Sequence, residues 1–239
     1  MKKKALIGVL ILILLIGMSY IVYKVMNSRT FQLMGEIIQK ADTEEKVVAI
    51  TFDDGPTDNT DSILKILNDA DIKATFFLTG KSIEENPEET KKIVTAGHEL
   101  GNHTYSHKRM VFKSPSFIKE EINKTDKLIR EAGYKGEIHF RPPNGKKLVF
   151  LPYYLNKKDK KTIMWNIEPD SYPEIAKDKD KIVKFINDNI EPGSIILLHV
   201  MYDTEERKSL ESIKDIILNL KEKGYEFKTV SDLLKYSDK

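Results

Sequence analysis

The 239-residue sequence contains no cysteine. That excludes a disulfide scaffold, thiolate-ligated zinc, an iron–sulfur cluster, a cysteine nucleophile and a lipid-modified cysteine anchor. It also lacks an excess of one charge. Its 39 basic and 37 acidic residues give a net +2, whereas a nucleic-acid binder of this size would show a clear basic surplus. No internal repeat and no low-complexity stretch interrupts it. What is present is 40% apolar and 32% charged residues, enough to bury a core, in a length suited to one domain of up to about 200 residues plus a short appendage.

The small net charge is unevenly spread. Residues 1–24 hold Lys2, Lys3, Lys4 and Lys24 and no acid, so the rest carries 35 basic and 37 acidic side chains, a net −2. Between those lysines, residues 5–23 form one uncharged apolar run, about 28 Å long as a helix and close to the hydrocarbon thickness of a bilayer. The preceding lysines set residues 1–4 as a cytoplasmic tail, and Tyr20 and Tyr23 stand where interfacial aromatics belong. Residues 5–16 would also serve a signal peptide, with the small residues Gly17 and Ser19 at cleavage positions, but apolarity continues through Ile21 and Val22. The expectation is therefore an uncleaved single-pass anchor with the remainder outside the cell membrane, secreted if the segment is cleaved. Residues 24–45 read as a stalk, helical over 31–38.

Beyond the stalk, short β-branched or aromatic runs alternate with helix-period stretches. Strand candidates are 47–53, 74–79, 99–103, 138–142, 162–167, 194–199 and 227–230. Helix candidates are 62–70, 87–96 (proline near its start and Gly97 beyond its end), 116–132, 179–189 and 210–223. The stretch 144–161 shows no clear helix. This alternation predicts a mostly parallel α/β sheet, either open and doubly wound or closed into a small barrel.

Chemistry-bearing residues follow the strand candidates. Asp53 and Asp54 follow the first, His103 and His107 the third, Arg141 the fourth, Glu168 and Asp170 the fifth, and His199 ends the sixth. Loops at the C-terminal ends of parallel strands share one rim, where ligands bind. Two imidazoles four apart with one carboxylate make an open divalent-metal site. Asp53 and Asp54 would point to opposite sides of an extended chain, one toward the metal and the other free as a base. His199 has a pKa suited to proton transfer, although a histidine after so apolar a run also fits a core position. His98 and His139 lie at the wrong strand ends and read as structural.

The segments Thr51-Phe52-Asp53-Asp54-Gly55-Pro56, His103-Thr104-Tyr105-Ser106-His107, Arg141-Pro142-Pro143-Asn144-Gly145, Trp165 and Leu197-Leu198-His199 occur in the order of the polysaccharide deacetylase family. The sequence resembles that family (carbohydrate esterase family 4, the NodB-homology domain) over about residues 47–234. The resemblance implies a distorted (β/α) barrel of about seven parallel strands, here a catalytic domain over 46–239 behind a transmembrane helix. It implies Asp54, His103 and His107 as ligands of a divalent metal, usually Zn2+, with Co2+ or Ni2+ as alternatives. It also implies Asp53 as general base, Arg141 holding Asp53, the backbone N–H near Asn144 in the oxyanion site, Trp165 and Leu197 at the acetyl pocket, and His199 as general acid. Two departures stand out. Asn144 occupies a position where the family often has tyrosine. The loop Glu168-Pro169-Asp170-Ser171-Tyr172 replaces the usual Asp-Trp. Strict counting puts Ser171 at the position that orients the catalytic histidine, whereas a one-residue shift gives Asp170, with Glu168 as second choice.

The expected activity is metal-dependent removal of N-acetyl groups from amino sugars of a cell-wall or extracellular polysaccharide, peptidoglycan or chitin-like. No nucleic-acid or protein partner is expected. The alternatives are a catalytically impaired, membrane-tethered glycan-binding module and a deacylase of a non-carbohydrate substrate.

Overall fold

The computed structural model describes residues 2–202 and 208–237; Met1, residues 203–207 and the last two residues lie outside it. The chain runs α1 (Lys2–Asn27), β1 (Ile37–Ile38), β2 (Val47–Asp53), α2 (Thr60–Asp69), β3 (Thr75–Leu78), α3 (Gly80–Glu85), α4 (Pro87–Thr95), β4 (Glu99–Asn102) and α5 (Pro115–Glu131). It continues with α6 (Phe150–Lys157), β5 (Thr162–Ile163), α7 (Pro173–Ala176), α8 (Lys179–Asn189), β6 (Ile195–Leu198), α9 (Ser209–Glu222), β7 (Glu226–Phe227) and α10 (Val230–Leu234).

The strands pair in parallel, as βαβ connections require. The order β4–β3–β2–β6 forms the main sheet, with β7 on the start of β2. Single bridges extend it: Asn102 to Phe140, Phe140 to Thr162, and Ile167 to Ile196. These bring the two sides of the sheet toward one another in a barrel-like, distorted α/β arrangement. β2 is buried along its whole length, and its period-2 alternation decides what goes where. Val48, Ile50 and Phe52 face outward into a core with Ile63, Leu67, Ile213 and Ile216 of the surrounding helices. Val47 and Ala49 face inward with Phe77, Trp165, Ile195 and Leu197. Thr51 and Asp53 share that inward face, which places a carboxylate at the top of the interior.

Several expectations change. The strand expected at 138–142 reduces to the single bridged residue Phe140, because Pro142 and Pro143 have no N–H to continue a ladder. The stretch 144–161 does contain a helix, α6, which buries Leu151, Tyr154 and Leu155 at helical spacing beside Phe140, Ile118 and Ile122. The strand expected at 227–230 stops at Phe227, because the Thr229 side chain accepts from Asp232 N and caps α10.

The segment 24–45 is not a free stalk, and 31–38 is not helical. α1 continues to Asn27. Ile37 and Ile38 then pair with Thr162 and Ile163, whose edge is otherwise open; Met164 N donates to Ile38 O, and Ala41 N to Gly193 O. β-Branched residues suit such a strand. Gly193 has φ +78°, and any Cβ there would collide with the Ala41 carbonyl. α1 is long and apolar enough to cross a membrane, and none of its apolar window is buried in the protein.

Candidate active site

The C-terminal ends of the strands surround a cavity of about 440 Å³ whose lining includes Asp53, Asp54, His103, His107, Trp165 and His199, together with Asn144 and Leu197. These residues, from five separate stretches of sequence, are thereby brought to one rim.

Asp53 sits at the buried base of this cavity. Arg141, fully buried, donates from Nη1 to Asp53 Oδ1 at 2.7 Å and to Thr51 Oγ1 at 2.8 Å. Its Nε and Nη2 donate to the Ile163 and Met164 carbonyls, and its guanidinium lies 4.0 Å over the Phe77 ring. Burial pushes the Arg141 pKa down, and the charge and hydrogen bond of Asp53 oppose that shift. Asp53 Oδ2 remains 3.6 Å from His103 Nε2.

Asp54 does not continue the strand. Its φ of +80° turns the chain, so its Oδ1 also reaches His103 Nε2 at 3.6 Å and His107 Nε2 at 3.1 Å. The two adjacent aspartates therefore meet the same imidazole, against the expectation from an extended chain. The two histidines are four residues apart but do not sit on a helical turn. A loop carries them, with Thr104 at φ +68° and His107 at φ +55°. Glu121 of α5 holds this loop by accepting from Tyr105 N, Ser106 N and Ser106 Oγ. Asn102 Oδ1 accepts from Thr104 N.

The donor set fits a divalent cation. One ligand atom from each of Asp54, His103 and His107 lies within 4.8 Å of the others, and Asp54 Oδ1 is buried without a hydrogen-bond partner. His103 Nδ1 lies 2.8 Å from Arg141 O; donating there fixes the tautomer that leaves Nε2 as a lone-pair donor. Burial lowers the His103 pKa to about 3, despite the opposing charge of Asp54, so the ring stays neutral and available to a metal.

Across the cavity, His199 Nδ1 faces Asp170 Oδ1 at 3.1 Å. Asp170 Oδ2 accepts from His199 N at 2.6 Å and from Ser209 Oγ at 2.8 Å. Burial opposes charge on His199, but the hydrogen bond and charge of Asp170, with Asp53 and Asp54 beyond, overcome it and raise the pKa to about 9. Burial raises the Asp170 pKa, but the hydrogen bonds from His199 and Ser209 outweigh it and hold that carboxyl below its ordinary value. Glu168 brings a carboxylate oxygen within 4.8 Å of the Asp170–His199 pair but accepts its hydrogen bonds from Trp165 Nε1 at 2.7 Å and from Arg29 at 2.7 Å. Ser171 lines the cavity. Of the three candidate partners for His199, the loop presents Asp170.

Asn144 has φ +55° in a turn where Gly145 N and Lys146 N donate to the Pro142 and Pro143 carbonyls. Asn144 lines the cavity, and its side-chain Oδ1 accepts from Arg109 Nε at 3.1 Å. Non-glycine residues at positive φ gather here: Asp54, Thr104, His107 and Asn144 all border the cavity or its loops. Such backbone costs of order 1–3 kcal/mol per residue and concentrates at functional sites. His98 and His139 lie at the opposite strand ends beside a second cavity of about 490 Å³. His98 accepts from Ala74 N, and His139 Nε2 faces Ser231 Oγ at 3.0 Å.

The cavity also includes residues that sequence reasoning missed. Asn27 and Arg29, just past the apolar run, line it. The Arg29 guanidinium lies 4.7 Å over the Trp165 ring. A lone arginine in a polar stretch gives no sequence signal for this placement. Ser209 and Glu121, which support His199 and the histidine loop, are likewise ordinary helix residues by pattern.

Residues 40–163 match the sequence profile of the polysaccharide deacetylase family. The chain is a member of the polysaccharide deacetylase family. It is 31% identical over 203 residues to a peptidoglycan-N-acetylglucosamine deacetylase of Bacillus cereus, covering 84% of this chain and 94% of that protein. It is 29% identical over 216 residues to the peptidoglycan-N-acetylmuramic acid deacetylase PdaA of Bacillus subtilis, covering 84% and 78%. Among solved structures, a peptidoglycan N-acetylglucosamine deacetylase superposes with a TM-score of 0.77 at 30% identity, covering 82% of this chain and 92% of that one. A carbohydrate esterase family 4 pseudoenzyme from Bacillus anthracis superposes with a TM-score of 0.74 at 29% identity, covering 83% and 69%. The family thus contains both deacetylases of cell-wall glycans and members without activity.

Proposed function

We propose that this polysaccharide deacetylase is an active, divalent-metal-dependent N-deacetylase of peptidoglycan amino sugars. In this reading residues 1–4 are cytoplasmic, 5–23 anchor the chain in the cell membrane, and the domain reaching to residue 239 works outside. The observation that carries the reading is the joint placement of three paired groups around one cavity: Arg141 with Asp53, Asp54 with His103 and His107, and Asp170 with His199. The cell-wall substrate is inferred from the relatives, which are peptidoglycan deacetylases.

Asp54, His103 and His107 would hold the cation, most simply Zn2+ given two imidazoles and one carboxylate, with Co2+ or Ni2+ compatible. When bound, it would polarise the acetyl carbonyl and lower the pKa of a nearby water. Asp53, held by Arg141, takes that water's proton as the water oxygen attacks the amide carbon. The Asn144 N–H donates to the oxygen that gains charge; a lost donor of this kind typically costs about 3–4 kcal/mol of transition-state stabilisation. Protonated His199, oriented by Asp170, gives its proton to the amine nitrogen as the C–N bond breaks. Trp165 and Leu197 bound the space for the acetyl methyl. Acetate and a free amino sugar leave.

The test is acetate release by the metal-loaded full chain from peptidoglycan, an N-acetylglucosamine oligomer and a non-carbohydrate acetamide. Release from the glycans supports the reading. Binding to glycan without any acetate release would make the chain a pseudoenzyme, and release from the acetamide alone would make it a different deacylase.

A further inference from the structure

The loop between β4 and α5 carries an apolar side chain that the catalytic reading does not use. Phe112 is 80% exposed, more than any other large apolar residue among the described residues, α1 included. The loop is not loose. Met110, two residues earlier, is buried against Ile118, Ile122 and Phe140, and Arg109 is tied to Asn144. Phe112 itself has φ +55°, a conformation that bulky side chains avoid. The fold thus holds an aromatic ring outward from an anchored loop, at a backbone cost.

What the ring faces is α1. Phe112 shares an apolar crevice of about 450 Å³ with Met18, Val22, Tyr23 and Met26. Those residues span about 12 Å at the ectodomain end of the helix, where Tyr20 and Tyr23 mark the membrane interface. Lys108 and Lys113 flank the ring in sequence and sit over Phe117 at 5.9 and 5.5 Å. An exposed aromatic continuous with a transmembrane surface and bordered by cations has the chemistry of a contact with anionic lipid.

We infer that the Phe112 loop is a second membrane contact, inserting its ring among outer-leaflet lipids beside α1 with Lys108 and Lys113 at the phosphate headgroups. The inference rests on α1 spanning the membrane. It has a consequence for the site. Asn27, the last residue of α1, and Arg29, two residues further on, line the catalytic cavity, so docking the loop holds that cavity against the membrane surface. Glycan strands lying close to the membrane are then favoured over distant ones.

The absence of native cysteine makes the test direct. Single cysteines at Ile11→Cys, Phe112→Cys, Lys113→Cys and Lys214→Cys are labelled with an environment-sensitive fluorophore in the full chain. The chain is reconstituted in vesicles of phosphatidylglycerol and phosphatidylcholine. Quenching by nitroxides at set acyl depths reads the position of each label. The inference predicts a deep label at 11, a shallow acyl-level label at 112, a headgroup-level label at 113 (with Phe112 intact) and a water-exposed label on α9 at 214. Labels at 112 and 113 as water-exposed as that at 214, with 11 in lipid, would overturn the docking inference and leave the anchor standing. A water-exposed label at 11 would overturn both.

Discussion

Arg141 donates to Asp53 Oδ1 at 2.7 Å from a position with no solvent exposure. Removing one partner of such a pair leaves the other charge buried, at a typical cost of about 3–5 kcal/mol. Arg141→Met is expected to lower the unfolding free energy by about that amount in denaturant titration. Asp53 also loses the donor that holds its carboxylate in place, so kcat for acetate release should fall in the folded variant. A folded variant with the wild-type kcat would show that Arg141 does not act through Asp53.

In the proposed mechanism the Asp170–His199 pair sets the alkaline limb. A general acid works while protonated, so kcat/KM should fall as pH rises through the His199 pKa, which Asp170 helps raise to about 9. A cation on Asp54 cancels part of that rise, so the limb lies at or below 9. Asp170→Asn removes the partner charge and should shift the limb toward the ordinary histidine value near 6.5, with lower activity at pH 8. Glu168→Gln should leave the limb in place, because Glu168 faces Trp165 and Arg29. A shift in the Glu168 variant instead would reassign the orienting role.

Metal retention should depend on Asp54, His103 and His107 together. Chelation is expected to abolish acetate release, and Zn2+ or Co2+ to restore it. Asp54→Ala and His103→Ala should each lose the bound equivalent measured by elemental analysis. Full activity after chelation would contradict the metal assignment.

The segment before β2 belongs to the folded unit. A chain beginning at residue 29 keeps the Ile37–Ile38 pairing with Thr162–Ile163; one beginning at residue 46 loses it and uncovers the inner cluster around Ile163 and Ile195. The shorter chain should melt at a lower temperature in thermal denaturation. Gly193→Ala should destabilise the longer chain more than the shorter one, which keeps the strain of φ +78° but lacks the clash with Ala41. Equal melting temperatures for the two chains would show that the pairing adds nothing.

The legible parts of the sequence were those with strong local patterns. β2, β6 and the helices 179–189 and 210–223 stand out through unbroken apolar runs or helical periodicity, and the chemistry-bearing residues follow strand ends. What escaped depends on tertiary contact. Two-residue β1 forms only because the Thr162 edge is open to it. Phe140 bridges as a single residue because prolines follow it. Asp54 reaches both histidines through a left-handed turn that no residue type announces. Arg29 enters the cavity because α1 ends there, which a polar linker pattern does not reveal. The loop at 168–172 allowed three partners for His199 by counting, and only packing against Ser209 and β6 separates them.

The most direct measurement compares wild type with Asp53→Asn for acetate release from peptidoglycan, with metal content determined on the same samples. Asparagine keeps the shape and leaves the Asp54, His103 and His107 donors in place, but it cannot take a proton. The account predicts equal metal content and a fall in turnover of roughly 10²–10⁴-fold, the range that general-base catalysis contributes. Undiminished release from the metal-loaded variant would contradict it.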